Sequence, residues 1–222
     1  MKLRSLLPIV GLAALLSGCQ STPEPQIKLA QGAFLRVINL TETTYAPLLD
    51  GQVFGGDLAP QGVTIFIKRP KGERVLQLDP NDPTTQVKLP VDEGDMATFA
   101  IRKDGEGFSV TKITGEQRKP ETGKGGFTVV NLTRQPLTIT PAGGPEAKVE
   151  PNKTSALLPL SDAGSIEANI AAGALTVKAT NEGPVNSGYT VFVLEERGKL
   201  VAQVTQNYAP MQVNSEANAG AN

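Results

Sequence analysis

Leu35-Arg36-Val37-Ile38-Asn39-Leu40-Thr41 recurs 92 residues later as Phe127-Thr128-Val129-Val130-Asn131-Leu132-Thr133. Candidate turn residues keep that spacing: Gly51 meets Gly143, Gly72 meets Gly164, and Thr98 meets Thr190. With a one-residue slip, Pro60 meets Pro151 and Gly105 meets Gly198. Apolar runs and turn residues in phase over this length predict a duplicated module.

Each copy reads as short strands. Phe34 to Leu40 and Phe127 to Leu132 are β-branched and apolar, and Leu137-Thr138-Ile139-Thr140 alternates with period two. Asp50-Gly51 is a favoured two-residue hairpin turn. Val63 to Ile67 and Val75 to Leu78 flank Pro70-Lys71-Gly72-Glu73, which predicts a hairpin there. Gln86 to Leu89, Ala97 to Arg102 and Phe108 to Ile113 follow, with counterparts at Leu175 to Ala179, Tyr189 to Leu194 and Leu200 to Val204. Short strands spaced by about ten residues, with no helical period, predict an all-β fold of two tandem immunoglobulin-like β-sandwich domains related by the internal repeat. Phe34, Phe66, Phe99, Phe127 and Phe192 fall within strand runs and are assigned to the core.

The expected organisation is a signal over residues 1–18, a tether over 19–31, one sandwich over 32–117, a polar glycine-rich linker over 118–126, a second sandwich over 127–207, and a disordered tail over 208–222. Lys2 and Arg4 precede a run of small and apolar residues ending in Leu16-Ser17-Gly18-Cys19. That run is too short to span a bilayer and fits a secretory signal. Its last four residues resemble the bacterial lipobox, in which the cysteine is acylated and the chain is cut before it. Cys19 is therefore the expected lipid anchor, with each buried methylene contributing about 0.8 kcal/mol to membrane attachment. Gln20, where an Asp tends to retain lipoproteins at the inner membrane, resembles the outer-membrane pattern. The expected location is the periplasmic side of the cell envelope.

Of the 222 residues, 21 are Lys or Arg, 22 are Asp or Glu, one is Cys and none is His. Absence of histidine excludes Ser-His-Asp triads, Cys-His dyads and His-metal sites, and one cysteine closes no internal disulfide. Without Lys2 and Arg4 the chain carries 19 cations against 22 anions, a net charge of −3, which argues against a nucleic-acid partner.

Few clusters carry chemistry. Asp79-Pro80-Asn81-Asp82-Pro83-Thr84-Thr85 has carboxylates at calcium-loop spacing but no central Gly, and Pro90 stands where a bidentate Glu is needed; it reads as a turn. Asp92, Glu93 and Asp95 share one short loop and read as solvated surface. Lys68, Arg69 and Lys71 with Arg74 fall at the expected hairpin tip, a candidate patch for an anionic partner such as an acidic polysaccharide. Absence of Trp weighs against a dedicated carbohydrate-binding module. Asn39-Leu40-Thr41, Asn131-Leu132-Thr133 and Asn152-Lys153-Thr154 match glycosylation sequons but read as strand-end turns. No catalytic, cofactor-binding or metal-binding residue is assigned.

The succession of Ala33-Phe34-Leu35-Arg36-Val37-Ile38-Asn39, Asp57-Leu58-Ala59-Pro60-Gln61-Gly62, Val129 to Thr133 and Tyr189-Thr190-Val191-Phe192-Val193 resembles the AlgF-like family of alginate O-acetylation accessory proteins, over roughly residues 31–207. The resemblance implies two β-sandwich modules and a non-catalytic periplasmic adaptor, or scaffold, that binds acetyltransferase components of a polysaccharide export system. The lipobox at Cys19 departs from the plain cleavable signal associated with that family. An envelope lipoprotein with a polysaccharide-binding or adhesive surface is the alternative expectation.

Overall fold

The computed structural model describes residues 32–105, 107–116, 125–181 and 188–207. The signal and lipobox with Cys19, the tether before residue 32, residue 117 at the end of the first expected sandwich, residues 118–124 of the linker and the tail from residue 208 lie outside the described residues. The chain is all-β, as its sequence predicts. The strands of the first half are β1 (Ala33–Asn39), β2 (Leu48–Leu49), β3 (Gln52–Val53), β4 (Ile67–Arg69), β5 (Gly72–Gln77), β6 (Gln86–Val91), β7 (Met96–Asp104) and β8 (Gly107–Ile113). Those of the second half are β9 (Gly126–Asn131), β10 (Leu137–Pro141), β11 (Ala147–Val149), β12 (Leu158–Pro159), β13 (Ile166–Ala172), β14 (Leu175–Asn181), β15 (Gly188–Glu196) and β16 (Lys199–Gln206).

They form four four-stranded sheets, ordered β4-β1-β7-β8 and β3-β2-β5-β6 in the first half, and β12-β9-β15-β16 and β11-β10-β13-β14 in the second. Pairing is antiparallel except between β1 and β7 and between β9 and β15, which place Arg36 beside Thr98 and Thr128 beside Thr190. Parallel neighbours require a long crossover. Here the rest of each half, including its second sheet, supplies it.

Two apolar cores lie between paired sheets. Leu35, Val37, Phe99 and Ile101 pack with Leu49, Leu76, Leu89 and Val91 in the first half. Phe127, Val129, Val191 and Val193 pack with Leu137, Ile139, Ile166 and Ile170 in the second. β13 alternates as a one-sided strand should, whereas β1 and β9 are buried along their whole length. Their other faces account for this. Ile38, Ala100 and Ile113 pack with Val130, Leu132, Phe192 and Leu194 in a third cluster that joins the halves. A strand covered on both sides carries a near-continuous apolar run rather than an alternating one, and both occurrences of the opening motif follow this, interrupted by Arg36 in β1 and Thr128 in β9.

Two of the three sequon-like motifs hold their asparagine buried rather than exposed as glycosylation would require, whereas Asn152 of the third is half-buried. Asn39 and Asn131 are 0% exposed. Asn39 Nδ2 donates to the carbonyls of Thr43 at 2.8 Å and Leu58 at 3.0 Å, while its Oδ1 accepts from the backbone N–H and hydroxyl of Thr41. Asn131 does the same with the carbonyls of Gln135 and Val149 and with Thr133. A single amide thus satisfies backbone groups of two separate loops. A second shared device lies at Thr64 and Ser155. Thr64 donates its N–H to Val37 O and accepts from Val37 N with its hydroxyl, and Ser155 repeats both bonds with Val129. Pairing slips by one residue between Leu35↔Ile67 and Ile38↔Val63, a bulge closed by the side chain, which limits β4 to three residues.

Asp50 and Gly51 adopt φ of 52° and 76°, the left-handed pair of a type I′ turn joining β2 to β3. A Cβ at Gly51 would meet nothing within 4 Å, so only backbone preference is at stake. Gly51→Ala is expected to cost about 1 kcal/mol; an unchanged urea midpoint would contradict this turn geometry.

The expected hairpin over 70–73 does not form. β4 pairs with β1, whereas β5 pairs with β2 and β6 in the other sheet. Pro70 has no N–H to give a ladder, and Gly72 at φ 126° turns the chain from one sheet to the next.

Candidate functional site

Among the described residues one buried ion pair lies at the contact between the halves: both its members belong to the first half, and side chains of the second half close over it. Arg36 of β1 is 1% exposed and forms a salt bridge through Nη2 with Oε2 of Glu116, just past β8. Arg36 Nε donates to Thr98 Oγ1 of β7 at 2.9 Å, and the Thr98 hydroxyl donates to Glu116 Oε1. From the second half, Thr190 Oγ1 of β15 lies 2.7 Å from Glu116 Oε2 and 3.0 Å from Asn207 Oδ1. The carboxylate therefore receives hydrogen bonds from both halves. The guanidinium carbon sits 4.3 Å from the centroid of Phe66 and 4.8 Å from that of Phe192, so one ring from each half covers it. Those cation–π contacts and the ion pair compensate its desolvation. Burial holds the Arg36 pKa below its ordinary value, while the Glu116 charge and hydrogen bond pull it back up.

Around this clasp, Arg102 of β7 donates to Asn152 Oδ1 at 2.8 Å and to the Leu132 carbonyl at 2.9 Å. Thr154 Oγ1 donates to the Thr114 carbonyl at 2.7 Å. The third sequon is thus part of the contact between halves. Glu116, at the end of the first expected sandwich and two residues before the polar linker, is 5% exposed. A charged residue inside an otherwise apolar, doubly buried strand, Arg36, is the signal that could have pointed to a buried partner.

The four residues of the basic patch lie at one flank rather than on a hairpin tip. Lys68 and Arg69 are on β4, Lys71 is on the exposed connection, and Arg74 is on β5. Arg74 Nη1 pairs with Asp50 Oδ2 at 3.3 Å, and Arg69 Nη2 reaches Gln52 Oε1 of β3 at 3.3 Å. β3 and β4 are edge strands of different sheets, and this bond ties their edges together.

The acidic clusters have local partners. Asp82 caps a 3₁₀ turn over Pro83–Thr85, accepting from the Thr84 hydroxyl at 2.6 Å and its N–H at 2.9 Å; these bonds lower its pKa. Asp95 pairs with Lys112 Nζ at 2.7 Å, with Asp92 3.6 Å from the same ammonium. Among the described residues no group of three or more acidic, Cys or His side chains is placed to hold a metal ion, and no helix is long and apolar enough to cross a membrane.

No protein-family model and no curated protein matches the chain.

Proposed function

We propose that this chain is a non-catalytic, lipid-anchored adaptor of a bacterial envelope. It would consist of two tandem immunoglobulin-like modules from one duplicated unit and assist O-acetylation of an exported, alginate-like polysaccharide through protein contacts. The clasp carries the scaffold part of this reading. A buried charge pair and two hydroxyls serve to hold one half against the other, which fits a body whose task is to present surfaces at a fixed separation. Matching strand orders, paired asparagines and paired bulges favour duplication. The acetylation role rests on the family resemblance, and membrane attachment rests on Cys19.

Affinity isolation of the full chain from detergent-solubilised envelopes tests the reading. Acetyltransferase components of the export system are expected to co-purify with it. Cys19→Ser is expected to leave the membrane fraction and lose labelled fatty acid. Isolation without any acetyltransferase component would count against the adaptor, and a Cys19→Ser chain still carrying label would count against the anchor.

The gathering of Lys68, Arg69, Lys71 and Arg74 on one flank favours a second reading, an envelope lipoprotein that binds anionic polysaccharide. Binding to purified polyuronate, abolished by neutralising Lys68, Arg69 and Lys71 together, would support it.

A further inference from the structure

We propose that the flank where β3 meets the segment leading into β4 docks an extended, acidic segment of a partner protein, added as a strand along β3. This rests on the adaptor reading only for the existence of a protein partner. Val53 on β3 and Ile65 before β4 are the two exposed large apolar side chains among the described residues, at 71% and 70%. The structure brings their segments together: Arg69 reaches Gln52, and Gly55 packs so closely on Thr64 that a Cβ there would fall 2.5 Å from Thr64 Cγ2. Ile65 points outward because it lies in the bulge that turns Thr64 in toward Val37. The corresponding bulge in the second half carries exposed Ala156, so the apolar surface belongs to one half only.

The hairpin register supplies the backbone half of the site. In a two-residue turn Leu49 and Gln52 form the closing hydrogen-bonded pair, which directs the N–H and C=O of Val53 away from β2. This two-residue edge offers one outward N–H and one outward C=O to start an incoming strand, so the flanking side chains must supply the rest of its hold. Charge selects the occupant. Lys68, Arg69, Lys71 and Arg74 border the flank against Asp50, already paired with Arg74, and Asp57; Glu73 is engaged by Lys88. A second copy would bring like-charged flanks together, whereas an acidic strand with alternating β-branched side chains would meet both cations and apolar surface.

Fluorescence anisotropy of an end-blocked, labelled decapeptide alternating Glu and Val, titrated with the full chain, tests this directly. Saturable binding is expected, with at least ~10-fold loss in Val53→Asp and in Ile65→Asp through like-charge placement. Lys71→Glu is expected to weaken it and Ala156→Asp to leave it unchanged; a Lys-Val peptide should not bind. Because all four substituted positions are exposed, unchanged far-ultraviolet circular dichroism identifies folded variants. No binding, or binding indifferent to Val53→Asp and Ile65→Asp, overturns the proposal. So does polyuronate binding that Lys71→Glu abolishes and Ile65→Asp spares, or a dimer that Ile65→Asp dissociates. If acetyltransferase components still co-purify with Ile65→Asp, this docking flank fails while the adaptor reading stands.

Discussion

Glu116→Ala is expected to lower the free energy of unfolding by about 3–5 kcal/mol, because it strands a buried guanidinium without its counter-ion. Arg36 stays enclosed by Phe66 and Phe192, and the Thr98 and Thr190 hydroxyls lose their shared acceptor. The loss should fall on the contact between halves first. Hydrogen exchange of β1, β7 and β15 amides should accelerate ahead of amides in β13, whose packing lies in the second-half core. Replacing both members, Arg36→Met with Glu116→Leu, removes the unpaired charge and is expected to restore most of the stability, since apolar substitutes for a buried pair are often neutral. Urea unfolding of the three proteins decides this. If Glu116→Ala costs less than about 1 kcal/mol, the value of an exposed pair, the clasp does not hold the halves.

The second large effect is expected at Asn39 and Asn131. Either residue changed to Ala removes one side chain that serves two loops, leaving buried carbonyls and N–H groups without partners. A loss of about 3 kcal/mol is expected for each, from about 1–3 kcal/mol per buried group left unsatisfied. Thr41→Val, which keeps the shape and removes only the hydroxyl, is expected to cost about 1 kcal/mol. Equal effects of Asn39→Ala and Thr41→Val in thermal unfolding would show that the amide is not the organising group.

Much of the strand content is legible in the sequence because local patterns encode it. The largely apolar run Phe34 to Ile38, broken by Arg36, and the Asp50-Gly51 pair each become what their residue types favour. Phe66, Phe99, Phe127 and Phe192 are all at most 1% exposed. β13 is less legible, since Ala168, Ala171 and Ala172 dilute its alternation. The parallel pairs β1/β7 and β9/β15 leave no local trace, because their partners are far apart in the chain: Arg36 and Thr98, like Thr128 and Thr190, are 62 residues apart. For the same reason the hairpin expected around Lys71 is instead a passage between sheets: β1 competes successfully for β4.

The site follows the same division. The basic residues are readable as a cluster, but their partners Gln52 and Asp50 come from another strand and turn. The clasp is less accessible still. Arg36 and Glu116 stand 80 residues apart, and a Glu between the last strand of a module and a polar linker ordinarily marks solvent. Only the burial of both faces of β1 makes a charge at position 36 require a specific partner.

Acetyl ester per sugar residue on the exported polysaccharide, compared between the parent strain and one lacking this chain, bears most directly on the adaptor role. A large fall in acetylation with export continuing, restored by the wild-type chain, is the expected result. Unchanged acetylation in the strain without the chain would contradict the role assigned to it.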